Sequence, residues 1–142
     1  MSTTSAALRG RIDISTTSLG IAIGDAILIG LFVISGEISH GVDPITQTGM
    51  VIDTALPFYI GWIIASLALG AYSRAARKTP KRAALMAGGT WIVAALIGQG
   101  VRATSLFHGD FAITFALVSI SVGLVLLAPW RILVSLFTTR KQ

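Results

Sequence analysis

Four long apolar runs fill most of this 142-residue chain, and they constrain its fold more than any other feature of the sequence. They cover about residues 15–38, 54–72, 83–101 and 111–137. Each run is close to the ~20 residues that an α-helix needs to cross a hydrocarbon layer ~30 Å thick. The runs do not alternate apolar with polar residues, as the strands of a membrane barrel do. The pattern predicts an all-α fold, a transmembrane four-helix bundle.

The composition also indicates a membrane protein. Hydrophobic residues make up 54% of the chain and charged residues 12%, with a mean hydropathy of +0.80. A soluble domain carries about 25% charged residues, so this chain has too little polar surface to coat a water-soluble globule. In a soluble protein a net charge of +5 would suggest nucleic-acid binding. Here we attribute the charge to basic residues that set the membrane topology, and we expect no nucleic-acid partner. The absence of cysteine excludes disulfides and thiolate sites.

The chain divides into a polar N-terminal segment 1–14, a transmembrane domain 15–137 and a basic C-terminal tail 138–142. The first run follows basic residues, as the core of a secretory signal peptide does. It is too long for such a core, contains Asp25 and precedes no small-residue cleavage site, so we interpret it as a retained helix. Pro57 is expected in the first turn of the second helix, where its missing N–H does no harm.

The basic residues predict the orientation of the bundle. With the N-terminus inside, only Arg102 of the eleven Lys and Arg residues lies on the outer side. The inner ones are Arg9, Arg11, Arg74, Arg77, Lys78, Lys81, Arg82, Arg131, Arg140 and Lys141. This positive-inside bias predicts an N-in/C-in topology. It places both termini and the loop 73–82 in the cytoplasm and makes the chain a multi-pass plasma-membrane protein.

Small residues spaced by three or four positions predict how the helices pack. Gly20 and Gly24 lie in the first run, Gly61 in the second, Gly98 in the third and Gly123 in the fourth. Helices in lipid gain little from hiding apolar surface, so small residues must let their backbones approach. The spacing therefore predicts a tight bundle.

Asp25 lies about ten residues inside the first helix, which is roughly 15 Å along its axis. A carboxylate at this depth costs about 2.5–3.5 kcal/mol, so it seldom lacks a partner or a purpose. One interpretation is a proton- or cation-binding site that lines a path through the membrane. The other is a structural carboxyl group that bonds to Thr90 or a serine on a neighbouring helix, or pairs with an arginine.

Arg102 is a candidate for an anion or ion-pair site at the outer end of the third helix. It could pair with Glu37, Asp53 or Asp110, or bind an anion such as a lipid phosphate. The alternative is an ordinary arginine that snorkels at a helix end.

Arg131 is the second arginine candidate for such a site. It follows Trp130, and an aromatic ring beside a basic residue is typical of an interfacial anchor. Alternatively, Arg131 reaches toward Asp25.

Glu37 and His40 are one helical turn apart, and His108 lies in the other outer connection, so these three are candidates for outer-face ligands. Zinc accepts such donors. The chain has no phosphate-cradling glycine loop, no H-E-x-x-H motif and no evident nucleophile–base pair. We therefore expect no metal, no cofactor, no catalytic residue and no enzymatic activity.

Several short motifs follow one another along the chain: Gly24-Asp25, Phe32, Gly36, Ser39-His40-Gly41, Pro57-Phe58, Gly61-Trp62, Arg102 and Trp130-Arg131. In this order and spacing they resemble an uncharacterised four-helix membrane family of archaea and bacteria, domain of unknown function 3054. The resemblance covers about residues 15–135 and implies a small four-span membrane protein without an assigned activity. It also implies that Asp25, His40, Arg102 and Arg131 belong to the polar pattern of the family.

Two functions from different classes fit the sequence. The first is a small transporter or permeation unit that acts as a homo-oligomer and uses Asp25. The alternative is a non-transporting membrane module that binds a lipid, a small apolar ligand or a partner protein. In that case the basic loop 73–82 could also hold anionic headgroups of the surrounding bilayer.

Overall fold

The structure is a computed structural model, and it describes residues 10–140. Within this range the chain forms α1 (Thr16–Ser39), α2 (Thr48–Leu69), α3 (Pro80–Arg102) and α4 (Ile113–Thr139). A short 3-10 helix, Ala75–Arg77, lies between α2 and α3. All four α-helices are long and apolar enough to cross a membrane, which confirms the predicted all-α class and the four candidate spans.

Parts of both predicted terminal segments lie outside the described residues. These are residues 1–9, which include Arg9, and residues 141–142, which include Lys141.

The second helix begins earlier than the hydropathy pattern predicts, at Thr48 instead of near residue 54. Pro57 therefore lies inside α2 and not in its first turn. An interior proline removes one backbone hydrogen bond and bends a helix. The prediction failed because helix formation continues through a polar stretch that contains Gly49. The helix ends at Leu69, and Gly70 follows with a φ of 72°, a left-handed conformation that glycine adopts readily.

The two ends of the bundle differ in charge. The basic end contains the start of α1, the connection between α2 and α3, and the end of α4. The acidic end contains the connections at 40–47 and 103–112, together with the helix turns that flank them. At the basic end Thr79 caps α3 by accepting a hydrogen bond from the backbone N of Arg82, 3.1 Å away.

Helix α3 is the central element of the bundle. It packs closely along α2 and α4, whereas α1 packs on α2 and α4 and faces α3 diagonally. Aromatic rings fill that diagonal space: Phe32 of α1 lies edge-on against Phe58, at 5.2 Å between centroids, and against Trp91, at 5.6 Å. Phe58 and Trp91 are completely buried. Many large apolar residues on the outside, such as Leu19 and Val125, are exposed and would face lipid.

Asp13 ties the N-terminal segment to the connection between α2 and α3. Its carboxylate pairs with Arg74, at 3.0 Å, and with Arg77. The hydroxyl of Ser15 donates a further hydrogen bond to the same carboxylate, at 2.8 Å. The backbone N of Asp13 donates to the carbonyl oxygen of Tyr72, at 3.0 Å. These contacts fix the segment before α1 against the bundle.

We expect low pH to destabilise the contacts at the basic end of the bundle, because it protonates Asp13. Its hydrogen bonds with Arg77, Ser15 and Arg74 hold the pKa of Asp13 well below its usual range. Because the folded-state pKa is the lower one, this stabilisation is present above the usual aspartate pKa of about 3.9 and declines as the pH falls below it. Thermal unfolding in detergent at about pH 7 and about pH 3 should show a smaller pH dependence for Asp13→Asn than for the wild type. Equal pH dependence of the two proteins would contradict this assignment.

Candidate functional site

Asp25 and Arg131 form a buried ion pair between α1 and α4. The Asp25 side chain is fully buried and the Arg131 side chain is 3% exposed. The guanidinium binds both carboxylate oxygens, with Nε 3.0 Å from Oδ1 and Nη2 2.7 Å from Oδ2. This is the bidentate geometry that makes arginine–carboxylate pairs strong.

Two further donors complete the surroundings of the carboxylate. The hydroxyl of Tyr72 donates to Oδ2 of Asp25 at 2.6 Å, and the indole N of Trp130 donates to Oδ1 at 3.2 Å. Tyr72 in turn accepts a hydrogen bond of 2.9 Å from the indole N of Trp62. The carboxylate thus has four donors, which fill the roughly four lone-pair sites of an ionised carboxylate. A cation could bind there only by displacing one of them.

Arg131 also connects the pair to the connection after α2. Its Nη1 donates to the carbonyl oxygen of Ala71 at 3.0 Å, and its guanidinium lies 5.0 Å from the centroid of the Tyr72 ring. One arginine of α4 therefore joins α1 to the segment that follows α2. Gly24 makes room for Trp130, because a Cβ at this position would overlap the indole ring.

The structure selects among the alternatives that the sequence left open for Asp25 and Arg131. The arginine pairs with the carboxylate, and Trp130 bonds to the same group, so these residues do more than anchor α4 at an interface. Thr90 is not the partner of Asp25: its hydroxyl is buried and bonds to no group among residues 10–140. No sequence pattern indicated Tyr72, which ends an apolar run and contacts Asp25 only because the chain turns back after Gly70.

A cleft of about 1030 Å³ opens at the acidic end of the bundle. It contains the candidates Glu37, His40, Arg102 and His108, whereas Asp25 is elsewhere. Its remaining lining residues are Val42, Gly49, Met50, Asp53, Thr54, Gly109, Asp110, Ala112 and Phe115.

Arg102 is held in the cleft by its aliphatic and π contacts. Its guanidinium lies over the ring of Phe115, 4.5 Å from the centroid, in a cation–π contact. Gly109 packs against its side chain so closely that a Cβ would overlap it. Neither an ion pair nor a hydrogen bond joins the guanidinium to any group among residues 10–140. The predicted pairing with Glu37, Asp53 or Asp110 is therefore absent from the described part of the chain.

Two of the three carboxylates that line the cleft with Arg102 bond to other groups. Glu37 accepts a hydrogen bond of 2.6 Å from the hydroxyl of Thr54. Asp53 accepts one of 3.2 Å from the backbone N of His108, whose ring Nδ1 lies 3.6 Å from the second Asp53 oxygen. Within the described range, no three His, Asp or Glu side chains lie close enough to hold a metal ion.

The fold and these two sites define a small helical membrane protein with a closed ion pair inside the bundle and an open polar cleft at its acidic end. The chain belongs to the family described as Protein of unknown function (DUF3054), whose model matches residues 22–134. The match includes both sites and confirms the resemblance found in the sequence. The comparisons with curated proteins and with solved structures gave no match.

Proposed function

We propose that this protein is a membrane-embedded binding protein that holds the anionic group of a ligand on Arg102. The observation that carries the proposal is the guanidinium itself, which lies in an open cleft, is oriented by Phe115 and Gly109, and has no acceptor among residues 10–140. Five N–H donors in a fixed fork suit a phosphate or carboxylate group. Their position is set before a ligand arrives, which reduces the entropy cost of binding.

The charges around Arg102 restrict the ligand further. Glu37, Asp53 and Asp110 line the same cleft, so a purely anionic ligand would be repelled by them. A zwitterion satisfies both sets of charges, with its anionic group on Arg102 and its cationic group toward the carboxylates. A phosphate diester joined to an ammonium group is a ligand of this kind.

The site favours binding over transport through Asp25, although transport was the first of the two predicted functions and stays a prediction. A coupling carboxylate must exchange its proton or cation, whereas Asp25 is surrounded by four donors and is fully buried. Transport would require Arg131 to leave this carboxylate during each cycle.

The proposal predicts that Arg102→Gln weakens the binding of glycerophosphoethanolamine, a water-soluble phosphate diester that carries an amine. Loss of a charged hydrogen-bond donor costs about 1.5–3 kcal/mol, which corresponds to a roughly tenfold to hundredfold weaker affinity. Isothermal titration calorimetry of the protein in detergent micelles measures this change. Arg82→Gln, at an exposed basic residue of the opposite end, is the matched control and should bind like the wild type.

Two outcomes of the same titrations would count against the proposal. The first is equal affinity of Arg102→Gln and wild type. The second is equal affinity for glycerophosphoglycerol, which has the same phosphate diester but no amine, because it would exclude a role for the carboxylates.

The charge asymmetry of the two ends supports the predicted orientation, with the basic end in the cytoplasm and the cleft outside. Lys78, Lys81 and Arg82 are exposed at the basic end, whereas Arg74 and Arg77 pair with Asp13. The three exposed side chains remain candidates for contact with anionic headgroups of a plasma membrane. Homo-oligomerisation and the absence of enzymatic activity stay predictions as well.

A further inference from the structure

We infer that the ligand of the cleft is a phospholipid with an amine headgroup, one of whose acyl chains lies in an apolar slot between α1 and α4. This inference rests on the proposed function, because the same Arg102 holds the phosphate. It adds the class of ligand and the route by which that ligand enters, from the bilayer and not from water.

The slot has a volume of about 290 Å³ and lies beside the cleft. Phe32, Val33 and Gly36 line it from α1, and Phe115 and Val118 line it from α4. Val118 is 57% exposed on the outer surface of the bundle, so the slot opens toward the lipid. Its α1 wall runs from Phe32 to Ser39, about 10 Å along the helix axis, and His40 follows it.

The slot and the cleft are continuous. Glu37, His40, Thr54 and Phe115 line both of them. Phe115 belongs to both cavities. Its ring lies under the guanidinium of Arg102 in the cleft, and the residue also forms a wall of the slot. A polar cleft lined by positive and negative side chains therefore leads directly into an apolar slot that is open to the membrane. An amphiphile with a zwitterionic head is complementary to this arrangement.

Gly36 keeps the slot open. A Cβ at this position would meet no atom within 4 Å, so a larger side chain there would fill the groove without disturbing the backbone packing of α1. Gly20 is the matched position on the same helix, because its surroundings are also open and it is absent from the slot lining. Gly36→Leu and Gly20→Leu thus add the same side chain at a test site and at a control site.

The test is photolabelling in lipid nanodiscs with a phosphatidylethanolamine that carries a diazirine in the upper half of one acyl chain. In the wild type we expect the labelled peptides to contain Phe32, Val33 or Val118 at least fivefold more often than Leu96. Leu96 is a lipid-facing residue of α3 that is 49% exposed. Gly36→Leu should reduce the slot labelling to the level of Leu96, and Gly20→Leu should not. An excess of phosphatidylglycerol should compete poorly with the probe.

Label spread evenly over Val118 and Leu96 in the wild type would overturn the inference without the use of any variant. The two proposals fail in different ways. If glycerophosphoethanolamine binds through Arg102 but the chain label is even, the cleft binds a ligand and the slot does not hold its chain. If the slot is labelled equally in wild type and Arg102→Gln, the slot is a general lipid groove and this inference fails. The proposed function fails only if the titrations also show no dependence of glycerophosphoethanolamine binding on Arg102.

Discussion

Asp25→Asn is expected to destabilise the protein by about 3–5 kcal/mol, because it leaves the charge of Arg131 buried without its counterion. The carboxylate and the guanidinium are both almost completely inaccessible, so water cannot replace the missing partner. The effect is measured as the free energy of unfolding by sodium dodecyl sulfate in mixed micelles, followed by tryptophan fluorescence. The loss should extend to the contact between α1 and α4, which this pair joins.

A double-mutant cycle measures the interaction free energy between Asp25 and Arg131 apart from the effect of replacing each side chain alone. Arg131→Met should also destabilise, and combining it with Asp25→Asn should cost less than the sum, with a coupling free energy of about 1–3 kcal/mol. Arg74→Gln is the exposed control: Arg74 also pairs with an aspartate at 3.0 Å, but its side chain is 83% exposed. We expect that variant to lose at most about 1 kcal/mol.

The same variants test the transport hypothesis. If Asp25 is a structural counterion, Asp25→Asn loses stability whether or not the reconstituted protein moves any solute. An Asp25→Asn protein that keeps the unfolding free energy of the wild type but loses a measured flux would contradict this role and restore the transporter assignment.

The four spans could be predicted from the sequence because length and hydropathy are local properties that the membrane imposes on each run. The start of α2 could not, since Gly49 and Asp53 are helical in spite of a loop-like composition. Where a helix ends at the membrane surface depends on hydrogen bonds with water, on capping residues and on the neighbouring connections. Hydropathy contains no information about these.

The candidate residues were predicted from the sequence, and the Asp25–Arg131 pair was one of the alternatives left open, but the complete arrangements were not predicted. Asp25 and Arg131 were found because a charge within an apolar run is costly wherever its partner lies. Their pairing spans most of the chain, so spacing could offer it as an alternative but could not select it. The contribution of Tyr72 depends on the turn at Gly70, which spacing does not show. The isolation of Arg102 could not be predicted for a related reason: it depends on how the two connections at the acidic end place Arg102 relative to Glu37, Asp53 and Asp110, which lie far apart in the sequence.

Gly61→Ala is expected to be among the most damaging conservative changes in the bundle. Gly61 lies where α2 packs against the backbone of α3, and a Cβ there would overlap the backbone carbonyl of Ala94. A backbone atom cannot rotate aside as a side chain can, so the two helices must separate. Overpacking of this kind typically costs 1–3 kcal/mol, and the separation would also loosen the contact between Gly98 and Phe58.

Gly89→Ala is the matched control for this change, because a Cβ at Gly89 meets no atom within 4 Å. At that helical position alanine should leave stability unchanged or raise it by up to about 1 kcal/mol, since glycine is the poorer helix former. Both variants are compared with the wild type by the same unfolding titration in mixed micelles. Equal stability of Gly61→Ala and Gly89→Ala would show that α2 and α3 are not in backbone contact at Gly61. The predicted small-residue packing would then account only for a loose association of these helices.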